Sequence, residues 1–166
     1  MRRLPVYLLL DTSGSMTGDP IEAVKSGLQM LIASLRQDPY ALETAYISVI
    51  TFSSDAKQIV PLTELSQFQA PNIEAAGTTA MGESLALLAD CVQREVKKGT
   101  ADQKGDWKPV VFMLSDGSPT DDLEKGIVAL RTIRTGAFVC CAAGQSADTT
   151  ALKKISEIVV NLDTAD

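Results

Sequence analysis

The chain has 166 residues, 45% hydrophobic and 22% charged, enough to build one globular domain around a buried core. Its formal charge of -6 argues against a nucleic-acid backbone or an anionic membrane as the main partner, since both reward a basic face and no basic cluster appears along the sequence. There is no histidine, which removes Ser-His-Asp and Cys-His nucleophilic sites, His-ligated zinc and the commonest general base.

The opening Met1-Arg2-Arg3-Leu4-Pro5 is positive, but the apolar run after it meets Asp11 too soon to serve as a signal or to span a bilayer, so a soluble chain without membrane insertion is expected. Val6 to Leu10 is continuously apolar, as in a strand covered on both faces. A polar loop follows, and then helix-start signals: Asp19 as N-cap, Pro20 at the first helical position and Glu22 completing a capping box. Val24, Leu28, Leu31 and Leu35 form the apolar stripe of this helix, and Asp38-Pro39 stops it. Thr44 to Phe52 is rich in β-branched and aromatic residues and reads as a strand. Lys57 to Leu62 follows at hairpin spacing and reads as an antiparallel edge strand, with Pro61 near its end.

Residues 63–76 are irregular, and from Ala80 to Lys98 a long helix buries Met81, Leu85, Leu88, Val92 and Val96 before ending at Gly99. Trp107, after a polar loop, reads as an anchor at the entrance of the next strand, Val110 to Leu114. That strand also runs into a polar loop, Ser115-Asp116-Gly117-Ser118-Pro119-Thr120, and Asp121 with Glu124 opens a helix to about Arg134. Ala137 to Ala142 is a strand, Thr149 to Ile155 a short helix and Ile158 to Leu162 a last strand. Cys91, Cys140 and Cys141 make neither a disulfide framework nor a CxxC site and read as reduced, buried thiols of a cytoplasmic protein. With no repeat or linker, residues 1–166 are expected to form a single domain. Strands alternating with helices imply an α/β fold, a mostly parallel sheet of about six strands covered on both faces, with one antiparallel edge strand. Ligands of such sheets sit beyond the carboxyl ends of the strands.

Oxygen donors collect at that rim. Asp11, Ser13 and Ser15 alternate, so in an extended loop their side chains can turn toward one point. The segment Ala75 to Ala80 brings a threonine hydroxyl to a helix start, and Asp116 brings a carboxylate to the end of another strand. Hydroxyls, carboxylates and water are hard donors suited to Mg2+ or Mn2+.

Asp11 to Ser15 (DTSGS), Gly77 to Gly82 (GTTAMG) and Ser115 to Gly117 (SDG) together resemble the metal-ion-dependent adhesion site of von Willebrand factor A (VWA) domains, in order and in spacing. The resemblance implies the three-layer, Rossmann-like α/β/α fold of that family. It also implies that Ser13, Ser15 and Thr79 coordinate the metal directly, with Asp11 and Asp116 acting through water. Thr79 rather than Thr78 precedes the A-x-G that opens the helix. Neutral direct donors leave the ion electrophilic, so a partner's Asp or Glu carboxylate is the natural further ligand. The expected function is therefore a non-enzymatic, Mg2+-bridged protein-binding module, with Mn2+ or Ca2+ as alternative ions. Asp19, Asp121 and Asp122 lie near the rim on this reading, with helix capping the better role for the last two.

Two enzyme-like alternatives are an aspartyl-phosphate enzyme of haloacid dehalogenase type and a phospho-receiver. The first resembles D-x-D-x-[TV] where this chain has Ser13 in place of the second aspartate; the second needs an acidic pair and a later lysine that are not evident. Within the VWA group, the opening LPVYLLLDTSGSM resembles stand-alone bacterial proteins of tellurium-resistance and stress-response clusters. That resemblance implies kinase-like or phosphatase partners in a phosphorylation scaffold. It departs from the family where a closing amphipathic helix is usual, since the sequence stops at Asn161 to Asp166, and a sheet face left without that helix is expected to favour self-association.

Overall fold

Six strands form one sheet among the described residues, in the order β3-β2-β1-β4-β5-β6. They are β1 (Leu4–Asp11), β2 (Ala45–Phe52), β3 (Ala56–Glu64), β4 (Val110–Ser115), β5 (Ala137–Ala143) and β6 (Ile158–Leu162). This computed structural model describes residues 2–102, 104–117, 119–143 and 147–162. Of the segments singled out in the sequence, Met1, Gln103, Ser118 and residues 163–166 lie outside the described residues. All pairings are parallel except β2 with β3, which is antiparallel at the sheet edge, as expected from the hairpin spacing.

The helices are α1 (Asp19–Gln37), α2 (Pro39–Thr44), α3 (Met81–Glu95), α4 (Leu123–Leu130) and α5 (Thr150–Ile155). Because neighbouring residues of a strand face opposite ways, β1 feeds two cores. Val6, Leu8 and Leu10 pack with Ile21, Val24, Leu28 and Ile32 of α1. Tyr7 and Leu9 pack on the other face with Met81, Leu85 and Leu88 of α3 and with Leu123 and Ile127 of α4. Cys91, Cys140 and Cys141 are free and buried. At the outer end of the α1 face the cover thins, leaving Ile158 and Val160 of β6 47% and 44% exposed.

Several local expectations are corrected. Helix α1 takes Gly18 at its cap position with no side-chain cap, so Asp19 stands inside the first turn, where its charge still suits the helix dipole. The buried row of α1 runs through Ile21, Val24, Leu28 and Ile32, while Leu31 and Leu35 are half-buried at its flank. Both rows share Val24 and Leu28, so spacing alone could not choose between them. Asp38-Pro39 ends one helix and also starts another: the Asp38 carboxylate accepts from Tyr40 N–H (2.9 Å), capping α2. Helix α3 stops at Glu95, short of Gly99, where Asp106 takes over the chain by accepting from Lys97 N–H (2.8 Å) and donating its own N–H to Lys97 O (2.8 Å). The stretch after β3, irregular in pattern, buries Leu65, Phe68 and Ile73 against the α1 core.

Candidate metal centre

The chain leaves β1 toward β2 on one side, while β4 lies on the other, so the end of β1 is where the strand order diverges and a crevice opens. Leu10 pairs with Leu114 across β1 and β4, which sets Asp11 beside Ser115 at the carboxyl rim.

Asp11 is fully buried. Its Oδ1 accepts from Ser13 N–H (2.9 Å), an Asx turn that folds the loop back on the strand, and its Oδ2 accepts from Ser115 Oγ–H (2.6 Å). Ser115 Oγ in turn accepts from Gly117 N–H (2.9 Å), so the third loop orients the carboxylate of the first. Burial pushes the Asp11 carboxyl above its ordinary range; the bonds from Ser115 and Ser13 pull it back, and the nearby Asp116 charge pushes it up again. Among the described residues no Lys or Arg forms an ion pair with Asp11.

Ser13 is also fully buried, and its Oγ lies 3.0 Å from the Oγ of exposed Ser15, within a one-turn 3-10 helix at Gly14–Met16. Neighbouring oxygens of an octahedral Mg2+ shell, with bonds of about 2.05 Å, stand about 2.9 Å apart. The hydroxyl pair therefore has the spacing of one edge of such a shell, and neutral hard oxygens are the donor chemistry that fits the ion. Each Asp11 oxygen already accepts one bond and keeps a lone pair, which suits contact through water better than direct ligation.

The second loop is tied to the first by Gly14 N–H to Gly77 O (2.8 Å) and Ala76 N–H to Thr12 O (2.8 Å). It is tied to the third by a two-way link: Thr79 N–H donates to Thr120 Oγ1 (2.9 Å) and Thr120 N–H to Thr79 O (2.9 Å). Thr79 is 3% exposed, whereas Thr78 lies on the surface. Asp116 is half-buried, and its carbonyl accepts from Asp148 N–H (2.8 Å). The structure thus joins Asp11, Ser13 and Ser15 directly, brings the charge of Asp116 to bear on Asp11, and anchors Thr79 by its backbone between the two neighbouring loops. Among the described residues no three His, Cys, Asp or Glu side chains cluster for a metal.

Two groups were missed or misassigned in the sequence. In the sequence Ser115 stands out only as part of SDG; in the structure it is the hydrogen-bond donor to Asp11. Asp121 was expected to cap the helix that follows it; instead its two oxygens accept from Gly82 N–H (2.9 Å) and Glu83 N–H (2.8 Å) at the start of α3, and Asp122 caps α4 through Lys125 N–H (3.2 Å). Nothing local distinguishes a cap for one's own helix from a cap for a neighbour.

The von Willebrand factor type A domain family model matches residues 6–161. A curated relative, "uncharacterized protein sll0103" of Synechocystis sp., is 35% identical over 123 residues, covering 70% of this chain and 26% of that protein. The fold is similar to solved structures at low identity. A von Willebrand factor type A protein of Catenulispora acidiphila has a TM-score of 0.68 at 19% identity, covering 98% of this chain and 39% of that one. The pilus adhesin SpaC of Lactobacillus rhamnosus GG has a TM-score of 0.71 at 14% identity, covering 100% and 28%. This chain therefore spans about a quarter of its curated relative and well under half of these two structures.

Proposed function

The chain belongs to the von Willebrand factor type A domain family, whose members are generally protein-interaction modules and commonly hold a divalent metal, and from that premise we propose that it is a Mg2+-dependent, protein-binding member. On this reading Ser13, Ser15 and Thr79 hold the ion directly, Asp11 and Asp116 hold it through water, and Mn2+ or Ca2+ can substitute. The observation that carries the proposal is Asp11 itself: a carboxylate pushed upward by burial, with a smaller push from Asp116, and lacking a basic partner among the described residues, beside two hydroxyls at octahedral spacing. A bound cation supplies the missing countercharge and an open coordination position for an outside carboxylate.

The protein's own residues do the rest. Ser115 and the Ser13 amide fix the Asp11 carboxylate, and the 3-10 turn holds Ser15 at the exposed side, where a partner arrives. The partner offers an Asp or Glu side chain, and basic residues around it offset the acidic rim formed by Asp19, Asp121 and Asp122. The aspartyl-phosphate alternative is not favoured: Asp11 is enclosed, with both oxygens engaged, and Ser13 stands where the acid/base aspartate belongs. The finer reading is a cytoplasmic scaffold of a bacterial tellurite-resistance or stress phosphorylation system with kinase-like or phosphatase partners. It rests on the opening motif and on three free, buried thiols, which suit a reducing compartment.

Thermal unfolding in chelator and in a Mg2+ series tests the metal. Saturation at about a hundred times Kd stabilises by about 2.7 kcal/mol, raising Tm by roughly 5–11 °C for a domain of this size. Ser13→Ala abolishes the shift while leaving the melt in chelator nearly unchanged. No shift with Mg2+, Mn2+ or Ca2+ refutes the metal site, and a partner captured equally well with and without chelator refutes the bridge.

A further inference from the structure

At the opposite, amino end of the parallel strands the structure assembles what the sequence did not show: a basic cavity in an acidic protein. It has a volume of about 840 Å3 and lies between the end of α3, the loop from Lys97 to Pro109 and the segment leading into β5. Lys97, Lys98, Lys104, Lys108 and Arg134 line it, and among the described residues none of these five has a carboxylate at ion-pair distance. Its carboxylates are Asp102 and Asp106, and Asp106 is engaged by Arg3 at 2.6 Å.

The described residues of this loop are held by specific contacts. Asp106 accepts from Lys97 N–H (2.8 Å), and Arg2 Nε–H donates to Gly105 O (2.9 Å). A Cβ on Gly105 would lie 2.3 Å from Gly99 N, so the two limbs of the loop meet backbone to backbone. Lysines held on such a frame lose less freedom when they close on an anion. Arg2 stacks over Trp107 at 3.8 Å from the ring centroid, yet Trp107 remains 42% exposed. The volume lies within the range of small-molecule sites and is far larger than one phosphate needs. Cations without a carboxylate at ion-pair distance fit phosphate groups, and an exposed indole fits a flat base.

We propose that this cavity binds a nucleoside di- or triphosphate, with the phosphates on the lysine-rich loop and Arg134 and the base against Trp107. The site is separate from the candidate metal centre and does not rest on it. Trp107 is the only tryptophan, so its fluorescence reports on the cavity directly. The test titrates the full chain, in chelator, with ATP, ADP, adenosine and pyrophosphate, by fluorescence and by calorimetry. Saturable ATP binding, weaker ADP and pyrophosphate binding and none by adenosine are expected. The double variant Lys104→Glu, Lys108→Glu, at surface positions and checked by its melt, weakens ATP roughly tenfold or more. Ser13→Ala leaves ATP affinity unchanged. The proposal is overturned by no saturable signal with ATP, by pyrophosphate binding as tightly as ATP, by full affinity in the lysine variant, or by loss of binding in Ser13→Ala.

Discussion

Replacing Asp121 by alanine is expected to destabilise α3, not the helix that follows Asp121 in the chain. The carboxylate accepts from Gly82 N–H and Glu83 N–H at 2.9 and 2.8 Å, the second and third residues of α3, whose amides have no partner within the helix. Losing a side-chain cap costs about 1 kcal/mol, and losing a negative charge beside a helix N-terminus adds about 0.3–1 kcal/mol. Water takes up part of the loss at this exposed site, so the expected total is about 1–2 kcal/mol, a Tm lower by roughly 2–8 °C. Calorimetric melts in chelator and in saturating Mg2+ measure it. The fall is expected to be equal in both, because a cap needs no metal. Asp121→Asn should recover only part of it, since its single amide oxygen can accept from one of the two N–H groups while its NH2 cannot accept from the other. A loss seen only with Mg2+ refutes the capping role and returns Asp121 to the metal.

Three further outcomes follow from the same contacts. Ser115→Ala removes the donor to Asp11 Oδ2 inside the protein; about 1–3 kcal/mol of stability and roughly ten- to a hundredfold in Mg2+ affinity should be lost, and unchanged Mg2+ affinity by titration would falsify the orienting role. Gly126→Ala places a Cβ 2.3 Å from Gly82 O, forcing α3 and α4 apart; urea unfolding should show a lower midpoint at constant slope, a loss of about 1–3 kcal/mol, whereas a midpoint at the wild-type value shows that the helices can yield. For Asp106, burial raises the carboxyl, but the Arg3 bond, the Lys97 amide and the Arg3 charge outweigh it, leaving it below its ordinary value. Its folded value is below its unfolded one, so it contributes stability above about pH 4 that fades as pH falls further. Asp106→Asn should therefore differ from wild type at pH 7 and converge with it in acid; a constant gap across the series defeats this account.

Much of the fold was legible because it is written in short-range patterns. Val6 to Leu10, buried on both faces, and Val110 to Leu114, buried or half-buried throughout, announce themselves as apolar runs that break at Asp11 and Ser115. The edge strand was readable from its hairpin spacing and from Pro61, which only an edge tolerates. Helix α2 escaped notice because Pro39 is both a terminator and a first-turn residue, and only Asp38 facing Tyr40 N–H decides between them. Leu65, Phe68 and Ile73 escaped because an irregular segment has no period to read.

At the candidate metal centre the sequence by itself determined the alternation of Asp11, Ser13 and Ser15, since an Asx turn closes within three residues. It did not determine that Ser115 serves Asp11, that Thr120 anchors Thr79, or that Asp121 caps α3, because those depend on β1 lying beside β4 and on α3 packing against α4. The basic cavity is the clearest case. Lys97, Lys98, Lys104 and Lys108 share one stretch of chain in which Asp102 and Asp106 mask their charge, while Arg2 and Arg134 stand far from them in a sequence of net charge -6. Charge acts through distance in space, and only the sheet, by bringing the entrances of β1, β4 and β5 to one end, puts those side chains within reach of a single ligand.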